Sequence, residues 1–161
     1  MSAWTSLTSA DLLVTLRVPV GWYVTRTEPD LVEVQAPEVD GYSTTLTVQE
    51  GVAERADRAW FDEFATHVAA QVVDQMPEVE LLDAARFRLS SPGAEVVLVH
   101  VRQPAQAEAP ELPATTQVQA WVWTGGERML VLSGSTASGR QADDLPVLDA
   151  AIRSLRLLPL P

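Results

Sequence analysis

The segment from Ala94 to Gln103 constrains the fold more than any other part of the chain. Along an extended strand, Val97, Val99 and Val101 point one way, and Val96, Leu98, His100 and Arg102 point the other. A strand that is apolar on both faces over its first half belongs in a central position of a sheet covered on both sides. The rest of the chain must therefore supply partner strands and two covering layers.

The first 50 residues read as a β-meander. Residues 11–18 form a strand that ends at Pro19 and Gly21. Residues 22–27 alternate as a half-buried strand, with Pro29-Asp30 as the following turn. Residues 31–36 form a short third strand. Residues 44–49 place Leu46 and Val48 on one face and Thr45, Thr47 and Gln49 on the other. The period then changes to helical. Asp57 is a suitable N-cap, and Trp60, Phe61, Phe64, Val68 and Val72 recur as one stripe. The helix should span 57–75 and stop before Pro77. Its aromatic stripe reads as core.

Residues 79–90 put Val79, Leu81, Ala85, Phe87 and Leu89 on one side, with Asp83 as an interruption, and Glu80, Arg86 and Arg88 on the other. Ser91-Pro92-Gly93 should turn this strand into 94–103 as a hairpin. Residues 117–124 alternate Val118, Ala120 and Val122 against Gln119, Trp121 and Trp123. Gly125-Gly126 then leads into a strand over 128–133. Residues 104–114 are acidic and rich in Pro and Ala, and read as an exposed, mobile loop. Residues 134–139, small and polar, read as a second loop. Asp144 can cap a last helix with Pro146 in its first turn and Leu145, Leu148, Ile152 and Leu155 on one side. Residues 158–161 are a short tail. The expected architecture is an α+β three-layer sandwich in one domain spanning 1–161. A central antiparallel β-sheet of about six to eight strands is flanked by two main helices.

Composition narrows the function. The chain has 161 residues and a formal net charge of −11. Its 11 basic residues are all Arg, and it has no Cys. Nucleic acids and anionic membrane surfaces are bound through cationic side chains, so neither is an expected partner. No apolar run is long enough for a membrane span. The start has no basic n-region or signal-peptide core, so a cytoplasmic protein is expected. The lack of Lys and Asn fits a GC-rich coding bias, as in actinobacteria, and carries no mechanism.

Catalytic signals are missing. His67 and His100 lie far apart, without the i,i+4 spacing of a zinc-protease helix. Asp143-Asp144 and Glu108/Glu111 lack the interleaved spacing of a calcium loop. No serine has Gly at both −2 and +2, and a phosphate loop would need Lys. The expectation is a non-enzymatic protein with no cofactor and no metal. The candidate partner-binding residues are Trp121, Trp123, Arg86, Arg88, His100 and Arg102. With the right register they would share one sheet face, and Trp and Arg are enriched in binding hot spots. Such a face would suit an acidic or amphipathic protein partner. The competing reading is that the C-terminal helix packs its Leu/Ile stripe on the two tryptophans. Either a monomer or a homodimer is compatible with the pattern.

The layout resembles the PsbP-like superfamily, which includes a Ran-binding import factor and actinobacterial LpqN/LpqT-type proteins. The resembling segments are Val18-Pro19-Val20-Gly21-Trp22, residues 42–48, Ala59-Trp60-Phe61-Asp62-Glu63-Phe64, residues 94–99, and Ile152-Arg153-Ser154-Leu155. The resemblance implies a central antiparallel sheet between helices, no catalytic centre, and an accessory or adaptor role. That role includes chaperoning a secretion-system substrate. It supplies no functional residues to transfer. A small-molecule carrier with a cleft beside Trp121 and Trp123 is the alternative. The lipoprotein members carry a signal peptide and a Cys, which this sequence lacks.

Overall fold

The computed structural model describes residues 3–55, 57–76, 78–90 and 94–159. In chain order the elements begin with β1 (Trp4–Ser9), β2 (Val14–Pro19), β3 (Tyr23–Glu28), β4 (Leu31–Gln35) and β5 (Thr45–Val52). After α1 (Arg58–Gln75) come β6 (Glu80–Arg88), β7 (Glu95–Gln103), β8 (Thr115–Trp123) and β9 (Arg128–Ala137). A 3-10 turn over Ser138–Arg140 leads into α2 (Gln141–Arg153), and β10 (Arg156–Leu157) follows.

Seven strands form one sheet in the order β3-β4-β5-β9-β8-β7-β6, and every neighbouring pair is antiparallel. A second sheet has the order β1-β2-β10. The result is the expected α+β sandwich. One layer is α1, the middle layer is the large sheet, and the third is α2 together with the small sheet. Two apolar clusters hold the layers. The larger joins Val96, Leu98, Val118, Ala120 and Val122 to Leu148 and Ile152 of α2 and to Val14, Leu16 and Val18 of β2. The smaller joins Val97, Val99, Val101 and Trp123 to Phe61, Val68 and Val72 of α1. β7 is thus buried on both faces, as its sequence demands. It is not the middle strand, however, but lies one position from the β6 edge.

The N-terminal meander is shorter than expected. β3, β4 and β5 do follow one another in the large sheet, but residues 11–18 contribute β2 to the small sheet, between β1 and β10. β3 is an edge strand exposed along its whole length, not half-buried. Its register shift between Val24 and Arg26, and its Arg26–Glu28 ion pair at 2.8 Å, make it a poor template for further strand pairing.

α1 matches its expected limits, and the Asp57 carboxylate accepts the Trp60 N–H at 2.7 Å. Pro77 and the Ser91-Pro92-Gly93 turn lie outside the described residues, as do Leu160 and Pro161 of the tail. β6 and β7 pair as the expected hairpin. A bulge between Leu81 and Asp83 shifts the register there. Leu81 is opposite Val101 on the α1 side, whereas Phe87 is opposite Val96 on the α2 side. One inserted residue has reversed which face the odd-numbered positions serve.

Two expectations near the end of the chain are corrected. Residues 134–139 are not a loop, because β9 runs on to Ala137. α2 begins at Gln141, so Asp144 is not its cap and Pro146 lies beyond the first turn, inside the helix. The small residues of this stretch have a packing reason. A Cβ on Gly134 would stand 2.8 Å from Val118 Cγ1 and 3.0 Å from Leu148 Cδ2. Glycine here lets α2 lie close on β8 and β9. Gly134→Ala should destabilise the protein by about 1–3 kcal/mol through overpacking. Urea unfolding should show a lower midpoint with an unchanged slope.

Candidate functional site

The face of the large sheet under α1 carries Trp121 and Trp123 of β8. Register places Val97 opposite Trp121 and Glu95 opposite Trp123, and beyond them Arg86 opposite Val97 and Arg88 opposite Glu95. Four of the six candidate residues therefore share a face. His100 and Arg102 occupy the other one. His100 pairs with Val118, and its Nε2 is 2.9 Å from Asp149 Oδ1 of α2. Arg102 donates to Glu80 at 3.0 Å and to Gln141 at 3.1 Å. Both serve the α2 side, so the single six-residue face does not form. Alternation along β7 separates His100 and Arg102 from Val97, and the register that sets Val97 opposite Trp121 and His100 opposite Val118 puts them on the face away from the tryptophans.

The helix that covers the tryptophans is α1, not the C-terminal helix. Phe61 is fully buried and stacks on Trp123 at 5.1 Å between ring centroids. Phe64 meets Trp121 edge-on at 5.8 Å. The Trp123 indole N–H donates to the Gly126 carbonyl at 2.8 Å, which ties it to its own hairpin turn. A cleft beside these two rings is therefore filled by α1.

The arginines of this face are also engaged. Glu95 is buried and receives Arg58 at 2.6 Å, Arg88 at 3.1 Å and Arg86 at 3.2 Å. Arg86 also pairs with Asp62 of α1. The Arg58 guanidinium lies 5.3 Å over Trp123, and that of Arg86 lies 5.1 Å over Phe61. Burial alone would raise the Glu95 pKa, but hydrogen bonds and charge from Arg58 and Arg86 outweigh it and hold the carboxyl below its ordinary value. Arg86 is raised, chiefly by its bond to Asp62. These residues fasten α1 to the sheet.

The stripe on α1 divides in two. Phe61, Val68 and Val72 enter the core, while Trp60 and Phe64 stay half-buried and stack on each other at 5.4 Å. Beside them is a groove of about 450 Å³ between α1, the end of β5 and the start of β9. Trp60, Phe64, Met129 and Val52 line it, with Arg55 and Glu63 also in its wall. Val52 is 80% exposed. A groove of about 310 Å³ lies under the exposed 104–114 loop, with Tyr42, Gln117 and Ser135 among its lining residues. The stripe alone predicts Trp60 and Phe64 as core, because helical spacing does not show how far the sheet reaches beneath the helix. The order of residues around the helix carries the distinction. At about 100° per residue Trp60 and Phe64 lie at one edge of the stripe, and the buried Val68, Phe61 and Val72 follow them around the helix.

Among the described residues, no three His, Asp or Glu side chains gather to hold a metal ion. No described helix is long and apolar enough to cross a membrane.

No family model matches the sequence, and no curated protein sequence matches it either. Solved structures do match along almost the whole chain. One is LpqN of Mycobacterium tuberculosis, described as involved in cell envelope biogenesis. It aligns with TM-score 0.67 and 13% identity over 98% of this chain and 91% of that one. Another is cyanobacterial PsbP from Synechocystis, with TM-score 0.62 and 14% identity over 98% and 94%. A third is the Ran-binding protein Mog1p of Saccharomyces cerevisiae, with TM-score 0.61 and 12% identity over 98% and 97%. The chain has the Mog1/PsbP-like fold. Identities this low carry the fold alone, and the roles of residues here rest on the geometry above.

Glu95 and Asp144 both have lowered carboxyl pKa values. Burial would raise that of Asp144, but Arg140, Thr136 and Thr44 donate to it and bring it down. A carboxylate with a lowered folded pKa contributes stability above its unfolded value and loses it as pH falls through the folded value. Melting temperature should therefore drop on acidification below about pH 4. Glu95→Gln should cost about 1–3 kcal/mol at neutral pH and flatten part of that acid limb, measured by thermal unfolding across pH.

Proposed function

We propose that this chain is a non-enzymatic protein-binding domain, an adaptor or chaperone for another protein, acting in the cytoplasm. The carrying observation is the groove beside α1, where Trp60 and Phe64 are half-exposed and Val52 is almost fully exposed. An aromatic pair in a pocket with a polar rim is the composition of a binding hot spot. The occupant we assign is a partner segment with an apolar anchor and basic flanks. Glu54 and Glu63 stand at the rim against the one Arg55, and the whole chain carries a net charge of −11. Protein binding also fits a fold that includes a Ran-binding protein.

A photoreactive residue in place of Val52 tests the reading in cells that make the protein. The expected result is one discrete protein adduct that disappears when Trp60→Ala and Phe64→Ala are added. With the partner purified, Trp60→Ala should weaken binding by about 2 kcal/mol, near 30-fold. Trp60 is half-buried and stacks on Phe64, so that variant should melt somewhat lower than the parent yet stay folded at the temperature of the binding assay, because Phe61 keeps its core contacts. Absence of an adduct, or the same adduct in the double variant, overturns the proposal.

A further inference from the structure

A second site, independent of the groove beside α1, follows from how the arginines are distributed. Seven of the eleven form ion pairs: Arg26, Arg58, Arg86, Arg88, Arg102, Arg128 and Arg140. Among the described residues, the other four have no carboxylate partner. Three of those four, Arg17, Arg153 and Arg156, line one groove of about 380 Å³. No Asp or Glu is among its described lining residues, in a chain that has twice as many acidic as basic side chains.

The groove is built from three elements. Thr15 and Arg17 are two apart on β2 and share its outward face, away from buried Val14, Leu16 and Val18. Ser6 of β1 is opposite Arg17, and Arg156 of β10 is opposite Thr15. Arg153 closes α2, and its guanidinium lies 3.9 Å over the Phe87 ring, which fixes its plane and leaves its N–H edge for a ligand. Ser154 anchors the junction by accepting the Arg17 N–H at 2.8 Å. The last carbonyls of α2 favour the Arg153 cation, but Arg17 and Arg156 come from strands and have no such compensation.

We infer that this groove binds a small phosphate monoester. Three unneutralised cations beside one another repel, and an anion relieves that repulsion. A single carboxylate would balance one charge. A phosphate monoester brings close to two charges and three acceptor oxygens, which the guanidinium forks and the hydroxyls of Ser6 and Thr15 can meet. The volume suits a small organic ligand. Longer polyanions reach beyond the groove and meet a chain of net charge −11.

Isothermal titration calorimetry of the full chain with methyl phosphate tests the inference, with acetate and a hexaglutamate peptide as comparison arms. Saturable binding to methyl phosphate is expected, tighter than to either comparison. It should weaken as pH falls from about 7.5 to about 5 and the phosphate loses its second charge. Arg17→Gln and Arg156→Gln should each lower affinity about tenfold or more, and the pair should abolish it. Both side chains are exposed, and both variants should melt in phosphate-free buffer no lower than the parent, since a like-charge neighbour is removed. No saturable heat, undiminished binding in the double variant, or equal affinity for acetate or hexaglutamate overturns the assignment.

Discussion

The structure depends on one demand, that β7 be covered on both faces. Val97, Val99 and Val101 cannot be left to water any more than Val96 and Leu98 can, and one strand cannot meet both needs with a single layer. α1 answers one face, and α2 with the small sheet answers the other. The other features follow from making room for these layers. Gly134 has no side chain because Leu148 must approach β9, and Trp123 is flat against Phe61 because α1 lies directly upon it. The long β8–β9 and β5–β9 pairings then extend the sheet past the helices, out to an edge strand that needs no cover because its side chains are exposed and largely polar.

That demand also explains the fate of the tryptophan face. Trp and Arg together look the same in sequence whether they meet a partner or a helix of their own chain, since both uses exploit stacking and guanidinium–carboxylate bonds. The deciding fact is Glu95. It begins β7, is buried, and gathers Arg58, Arg86 and Arg88 around one carboxylate. A buried carboxylate left alone would be costly, so these arginines are committed to it before any partner arrives. The proposed interaction surface lies instead on the flank of α1 where Trp60 and Phe64 are half-buried.

The layers were legible in the sequence because periodicity is a strong signal: the Val-rich run marks a strand covered on both faces, the helical spacing after Asp57 marks α1, and the alternation around Val118, Ala120 and Val122 marks β8. Three things were not legible, each for a physical reason. The bulge at Leu81–Asp83 is a one-residue insertion, and period-2 reading cannot see on which side of it the faces exchange. Gly134 to Ala137 has the composition of a loop, yet it continues β9, because close packing and hydroxyl bonds need small residues there. Thr136 donates to Asp144 at 2.9 Å, and Ser135 Oγ is 2.7 Å from the Tyr42 hydroxyl. The pairing of β2 with β10 joins residues more than 130 positions apart, and no local pattern encodes such a contact.

Charge ties the two proposed sites together. An acidic excess of eleven invites the conclusion that every cation is neutralised many times over. Geometry decides otherwise, because an ion pair needs contact and not merely abundance. Glu95 draws three arginines while most carboxylates take none, and Arg17, Arg153 and Arg156 are left together around one groove between the small sheet and the end of α2. At physiological salt the field of distant carboxylates is screened within roughly 8 Å, so the groove keeps a local positive character despite the net charge. The same screening leaves the acidic rim of the α1 groove to act on its own neighbourhood. One strongly acidic chain can therefore offer two surfaces of opposite preference, separated by the sheet that holds them apart.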